Sequence, residues 1–354
     1  MLNIKFDLDD IVLVPAEKSD INSRKECNIY YDGNLLFKFN KRKLPLMASP
    51  MDTVVSKKNY EKFISLGIIP CMPRNIFATG FLSFLNKNEY FQSFGLCEIE
   101  QQLHSKEICA NHFSNFTNVL IDIANGHMDK LINIVKEIKE KYPQINLMVG
   151  NVANPETFIN LGLAGASLVR CSIGTGAGCT TAANVSINYP LGSLISECYE
   201  LRKQYNINTK IVADGGMRNY SDIIKALALG ADFVMIGSLF NKSIESAGFS
   251  YLYGIKINDK IAEILWKYNF PIKKKYRGMS TKAVQRSWGK TELVTSEGII
   301  KYQKVEYTLS QWVENFKDYL RSAMSYCNAK TLNDFIGKAN YVFITDSAKN
   351  RFLK

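Results

Sequence analysis

A single (β/α)8 barrel, the TIM-barrel fold, is what this sequence predicts, and three observations predict it. Eight short β-rich apolar runs recur along the chain, and longer segments of helical periodicity lie between them. Residues suited to chemistry follow the ends of those runs, where a barrel gathers its loops at one rim. Six such units would have allowed an open doubly wound sheet; eight suggest closure. The 354 residues, 46% of them hydrophobic, are enough for a barrel of roughly 250 residues with embellishments.

The strand candidates are residues 44–48, 66–71, 92–97, 118–123, 146–150, 167–171, 210–213 and 233–237. Between them, 128–141 sets Leu131, Ile132, Ile134, Val135 and Ile138 on one side of a helix. A second helix, 221–229, opens at a capping Ser221 and closes at Gly230. Beyond the eighth run the pattern predicts a helix over 241–247, then an irregular piece through 249–275. A polar active-site flap over 276–308, a closing helix over 312–325 and a tail complete the chain. No repeat, linker or second core is visible, so 1–354 forms one catalytic domain by this reading.

Composition narrows the function classes. No apolar run reaches the ~18 residues of a membrane span, and the first residues lack a signal peptide's basic region and apolar core. The expectation is a cytoplasmic protein with reduced thiols. Its eight cysteines (27, 71, 97, 109, 171, 179, 198, 327) form no Cys-x-x-Cys pair, and His104, His112 and His127 are too dispersed for a zinc site. The net charge of +11 fits an anionic small substrate as well as nucleic acid, but no Arg/aromatic stripe runs along the sequence. No nucleic-acid partner and no membrane partner are therefore expected.

The sharpest motif is Gly174-Thr-Gly-Ala-Gly-Cys179-Thr-Thr181, after the sixth run. Its glycines let the backbone curl around a ligand, and a cysteine at the end of such a loop can be an exposed nucleophile. A glycine-rich turn with an incidental buried cysteine would look the same. Asp214-Gly-Gly216 and Gly237-Ser238 follow the next two runs. A carboxylate past a strand end can take both hydroxyls of a ribose, and glycine N–H groups with a serine suit phosphate. Ordinary strand-to-helix turns explain each alone; the pair on neighbouring strands points to a nucleoside monophosphate. Ser49-Pro-Met-Asp52, Pro73-Arg74, Asp122 with Ala124-Asn125-Gly126, and Asn151 join the same rim.

Taken in order, Phe6-Asp-Leu-Asp-Asp-Ile-Val-Leu-Val-Pro15, Ser49-Pro-Met-Asp-Thr-Val54, the cysteine loop, Ala213-Asp-Gly-Gly216, Gly237-Ser238, Tyr276-Arg-Gly-Met279 and Leu320-Arg-Ser-Ala-Met-Ser-Tyr326 resemble the IMP dehydrogenase/GMP reductase family over nearly the whole chain. The resemblance implies a purine nucleoside monophosphate substrate and a covalent adduct between Cys179 and purine C2. It assigns a proton relay to Thr181 and Glu297, and the ribose hydroxyls to Asp214. Gly215, Gly216, Gly237 and Ser238 would lie along the phosphate. Tyr276, Gly278, Met279, Ser280, Ser296 and Gly298 would meet the rest of the nucleotide. The main chain of Gly174, Gly176 and Cys179 resembles the family's monovalent-cation (K+) site, and a homotetramer is implied.

Within that family the chain resembles reductases more than dehydrogenases, which implies GMP reduction to IMP and ammonia with NADPH. Dehydrogenases carry an adjacent Arg-Tyr pair that activates water; between Gly278 and Glu297 this chain has Arg286-Ser-Trp288 instead. Too few residues separate Arg74 from Asn118 to hold the CBS modules common in dehydrogenases. Ser23-Arg24 and Asp122 with Ala124-Asn125 resemble the reductase cofactor segments, and Arg74 sits where a reductase lysine does. Ser49-Pro50 and Tyr276-Arg277 are dehydrogenase-like, while Ala177 and Ala182 depart from the usual phosphate and cation positions, and 249–275 is longer than usual. Two alternatives follow: an IMP dehydrogenase making XMP with NAD, or a nucleotide-binding protein that has lost the reaction.

Overall fold

Strands buried on both faces read as continuous apolar runs, because one face meets the barrel interior and the other meets helices. The computed structural model, which describes residues 4–31, 42–74, 88–107, 112–287, 295 and 297–352, shows eight of them closed into a parallel barrel. They are β1 (Leu46–Ala48), β2 (Ile69–Met72), β3 (Phe91–Phe94), β4 (Asn118–Asp122), β5 (Asn146–Val152), β6 (Leu168–Cys171), β7 (Lys210–Asp214) and β8 (Phe233–Ile236). The seam closes where Met47 of β1 pairs with Met235 of β8. Each strand overlaps its predicted run, with ends that differ by up to three residues, as at Ile69 and Phe94.

Helices cover the barrel for local reasons. Asp129–Lys141 buries Leu131, Ile134, Val135 and Ile138 along one stripe. Pro155–Leu163 begins at Asn154, whose side chain accepts from the Glu156 and Thr157 N–H groups, with Pro155 at the first helical position. Tyr220–Leu229 ends at Gly230 with φ +123°, but its cap is Asn219, which accepts from Asp222 N–H, and not Ser221. The helix predicted over 241–247 is instead the short Ser238–Asn241, followed by turns. Leu309–Tyr326 opens with a Thr308/Gln311 capping box and buries Trp312, Val313, Phe316, Leu320 and Met324.

The region expected to be irregular is regular. Strands β9 (Ser250–Leu252), β10 (Ile255–Ile257), β11 (Lys273–Arg277) and β12 (Ile300–Lys304) form an antiparallel sheet in the order β10-β9-β11-β12. Helix Asp259–Lys267 covers one face over a small separate core of Ile244, Ala262, Ile272 and Val305. This corrects the irregular reading of 249–275 and gives the flap over 276–308 regular elements, helix Lys282–Ser287 among them. The lysine triplet hid the strand. Lys274 points inward, buried, with Nζ 3.1 Å from Ser246 O and 3.4 Å from Asp259 Oδ1, while its neighbours point outward.

Candidate active site

The carboxyl ends of the barrel strands surround a cleft of about 540 Å3, of a size that holds small ligands. The loops after β1, β6, β7 and β8 line it, together with Tyr276, Gly278, Met279, Ser280 and Glu297.

The cysteine loop is held from both flanks. Cys179 N–H bonds back to Gly176 O at 2.8 Å, and Gly174 takes φ +82°, where a side chain is strained. On the other flank Ile299 N–H reaches Gly178 O and Gly278 N–H reaches Ile299 O, each at 3.0 Å; Thr180 N–H bonds to Glu297 O at 2.8 Å. A Cβ at Gly278 would stand 2.4 Å from Gly178 O, so only glycine permits the approach. The result is one path of polar atoms. Cys179 Sγ lies 3.2 Å from Thr181 Oγ1, which donates to Glu297 Oε2. A thiol nucleophile and a carboxylate that can take or give a proton are thereby joined through one hydroxyl.

A second network spans the barrel mouth. Arg170 of β6 pairs with Asp122 at the end of β4 (2.6 Å) and with Asp214 at the end of β7 (2.7 Å). Asn151 Nδ2 also donates to Asp214 Oδ2 at 2.7 Å, and Arg74 Nε stands 3.4 Å from Asp122 Oδ2. Burial alone would push the Asp122 carboxyl up. The guanidinium groups of Arg74 and Arg170 outweigh that and hold it below the ordinary carboxylate range. All the bonds to Asp214 from Arg170 and Asn151 end on Oδ2, so none of them uses Oδ1. Arg170 was missed in the sequence. Its signal was a cation inside an otherwise apolar run, which has to be paired when buried.

The other predicted residues sort by place. Gly215 and Gly216, at φ +83° and +80°, pack their loop against Thr175 and Gly176. Gly237 faces Met51 Sδ, Tyr276 Oη and Ser49 Oγ, each of which an added Cβ would crowd, and Ser238 begins the next helix. Burial raises the Tyr276 phenol well above its usual range, with Asp214 and Cys179 adding to it, so it stays neutral. Its neighbour Arg277 pairs with Asp52, tying β11 to the loop after β1. Met279 and Ser280 line the cleft; Gly298 pairs with Cys179 behind it, against Ser280. Ser296 lies outside the described residues. Of the cofactor candidates, Arg74, Asp122 and Ala124 line the cleft. Asn125 turns its Oδ1 to His127 N–H, and Ser23 and Arg24 sit in an exposed capped turn away from the cleft lining.

A family model described as the IMP dehydrogenase / GMP reductase domain matches residues 106–351. The chain is 30% identical to a "GMP reductase" of Staphylococcus saprophyticus over 352 residues, 98% of this chain and 97% of that protein. It is 28% identical to a "GMP reductase" of Onchocerca volvulus over 361 residues, 98% of this chain and 93% of that one. Against an "Inosine-5'-monophosphate dehydrogenase" of Chlorobaculum tepidum the identity is 33% over 229 residues, 65% of this chain but 45% of that protein.

Proposed function

The chain belongs to the IMP dehydrogenase / GMP reductase family, and from that premise we propose that it reduces GMP to IMP, releasing ammonia and oxidising NADPH. The observation that carries the chemistry is the path from Cys179 Sγ through Thr181 Oγ1 to Glu297. In this reading the Cys179 sulfur adds to purine C2 and Thr181–Glu297 delivers a proton to the departing amine, which leaves as ammonia. When bound, a reduced nicotinamide would supply the hydride that takes the amine's place at C2, and the Cys179 sulfur would depart to leave IMP. Asp214, with Oδ1 outside its bonds to Arg170 and Asn151, takes the ribose hydroxyls. The backbone at Gly215, Gly216, Gly237 and Ser238 takes the phosphate.

The residues fit a nicotinamide cofactor at the Asp122 side, where Ala124 leaves apolar room and Arg74 supplies a cation. They also leave room for K+ on main-chain carbonyls: Gly176 O accepts one bond, from Cys179 N–H, and a carbonyl has two lone pairs. Two observations favour the reductase direction over the dehydrogenase one. The likeness to reductases runs the length of both chains, and no Arg-Tyr pair stands between Gly278 and Glu297 to serve a hydrolytic step. The test is nicotinamide absorbance with purified protein. GMP plus NADPH should lose absorbance and release ammonia, whereas brisk turnover of IMP plus NAD with GMP inert would replace this reading with the dehydrogenase. Nucleotide binding with neither reaction would mean the chemistry is lost.

A further inference from the structure

The sheet beside the cleft has two faces of different character. Helix Asp259–Lys267 covers the face that carries Ser250, Leu252 and Lys274. Strand registers fix what stands on the other. Tyr251 is opposite Lys256 and Lys273, Lys273 is opposite Lys304, and Lys275 is opposite Tyr302. Arg277, already tied to Asp52, and Ile300 complete that face, and none of its positions is Asp or Glu. Four lysines therefore flank two tyrosines packed edge to face at 4.9 Å, with Tyr302 51% exposed.

We infer that this face binds single-stranded nucleic acid. The charge is of one sign, so the partner is a polyanion. Residues two apart along a strand lie roughly 7 Å apart and neighbouring strands ~4.8 Å apart, so the lysines form a grid that an extended phosphate backbone can follow. Tyrosines fixed in advance beside that grid offer bases an aromatic surface to stack on, which a bare anionic surface would not use. A second copy paired two-fold through this face is a poor occupant, because that pairing sets lysines against lysines. The arrangement is absent from any contiguous stretch of sequence, since its members are scattered from 251 to 304. That is why the sequence led to the opposite expectation.

The test uses the whole protein and a fluorescent uridine oligonucleotide, read by anisotropy across a salt series, beside a duplex of equal length and phosphatidylserine vesicles. Binding should favour the single strand. Four phosphates neutralised give a slope of log affinity against log salt of about −3. Lys273→Ala with Lys304→Ala should roughly halve that slope. Tyr302→Ala should weaken binding about tenfold or more, and Tyr302→Phe should restore it. No binding, equal affinity for duplex, equal competition by vesicles, or indifference to Tyr302→Ala would each overturn the proposal.

Discussion

Arg170 sits in an apolar strand, 6% exposed, and two carboxylates from other strands converge on it. Burial would lower its pKa, but Asp214 and Asp122 outweigh that and keep it charged. Removing one partner from such a buried group costs about 3–5 kcal/mol, because the others are left unpaired. Arg170→Leu should lose on that order in urea unfolding at pH 7. The sign with pH follows from Asp122, whose folded pKa is depressed: its stabilisation is complete above the unfolded value near ~3.9 and is lost as pH falls through the lower folded value. The cost of Arg170→Leu should therefore shrink toward pH 3; an equal cost at both pH values would assign it to packing. The place of Cys179 at the rim, by contrast, was legible from its loop, while Thr181 and Glu297 came only from the family resemblance. Cys179→Ala should bind GMP and not turn it over. Glu297→Gln should slow ammonia release by something like 10²–10⁴-fold while largely sparing hydride transfer run in reverse, from a Cys179 adduct made with IMP to the oxidised cofactor. Rapid mixing of the two half-reactions separates these, and equal slowing would make Glu297 a residue that orders the flap.

The eight barrel strands were legible because parallel strands need apolar residues on both faces, and runs such as Asn118–Asp122 announce themselves without any partner. Strands β9 to β12 were not. Two of them are three residues long, and β11 is lysine-rich because only alternate positions face the small core. The backbone pairing of Glu297 and Ile299 with the cysteine loop was hidden as well, since it joins positions more than a hundred residues apart. That pairing sets the position of Glu297, which gives an element-scale prediction. In Gly278→Ala the new Cβ meets Gly178 O at 2.4 Å, so the flap has to back away from the loop. A misplacement of about 1 Å is enough to cost on the order of 10²-fold in rate. Turnover should fall by about that much with the barrel's unfolding midpoint nearly unchanged. A variant with parental turnover would show that the flap does not set the register of the relay.

At the scale of the whole chain, family and barrel were legible in the sequence, while the way the ends meet was not, because strand pairs this short have no periodicity to read. Ile11–Leu13 pairs antiparallel with Tyr341–Phe343, and Phe6 packs on the rings of Tyr341 and Phe343. Ile344 N–H continues the ribbon to Asp10 O, and Lys349 pairs with Asp9 at 3.1 Å. Asp9 also pairs with Arg218, which lines the cleft, so the C-terminal segment supports a residue at the site through the N-terminal one. Deleting residues 340–354 should uncover the fully buried Ile11 and lower the unfolding free energy by on the order of 2 kcal/mol. The same deletion should raise KM for the nucleotide more than it lowers kcat. Arg218 loses its second-hand support, but the Cys179–Thr181–Glu297 path draws none of its contacts from the tail. Steady-state kinetics on folded, truncated protein decides it: a collapse of kcat with KM unchanged would make the terminal clamp part of the chemistry and not of nucleotide binding.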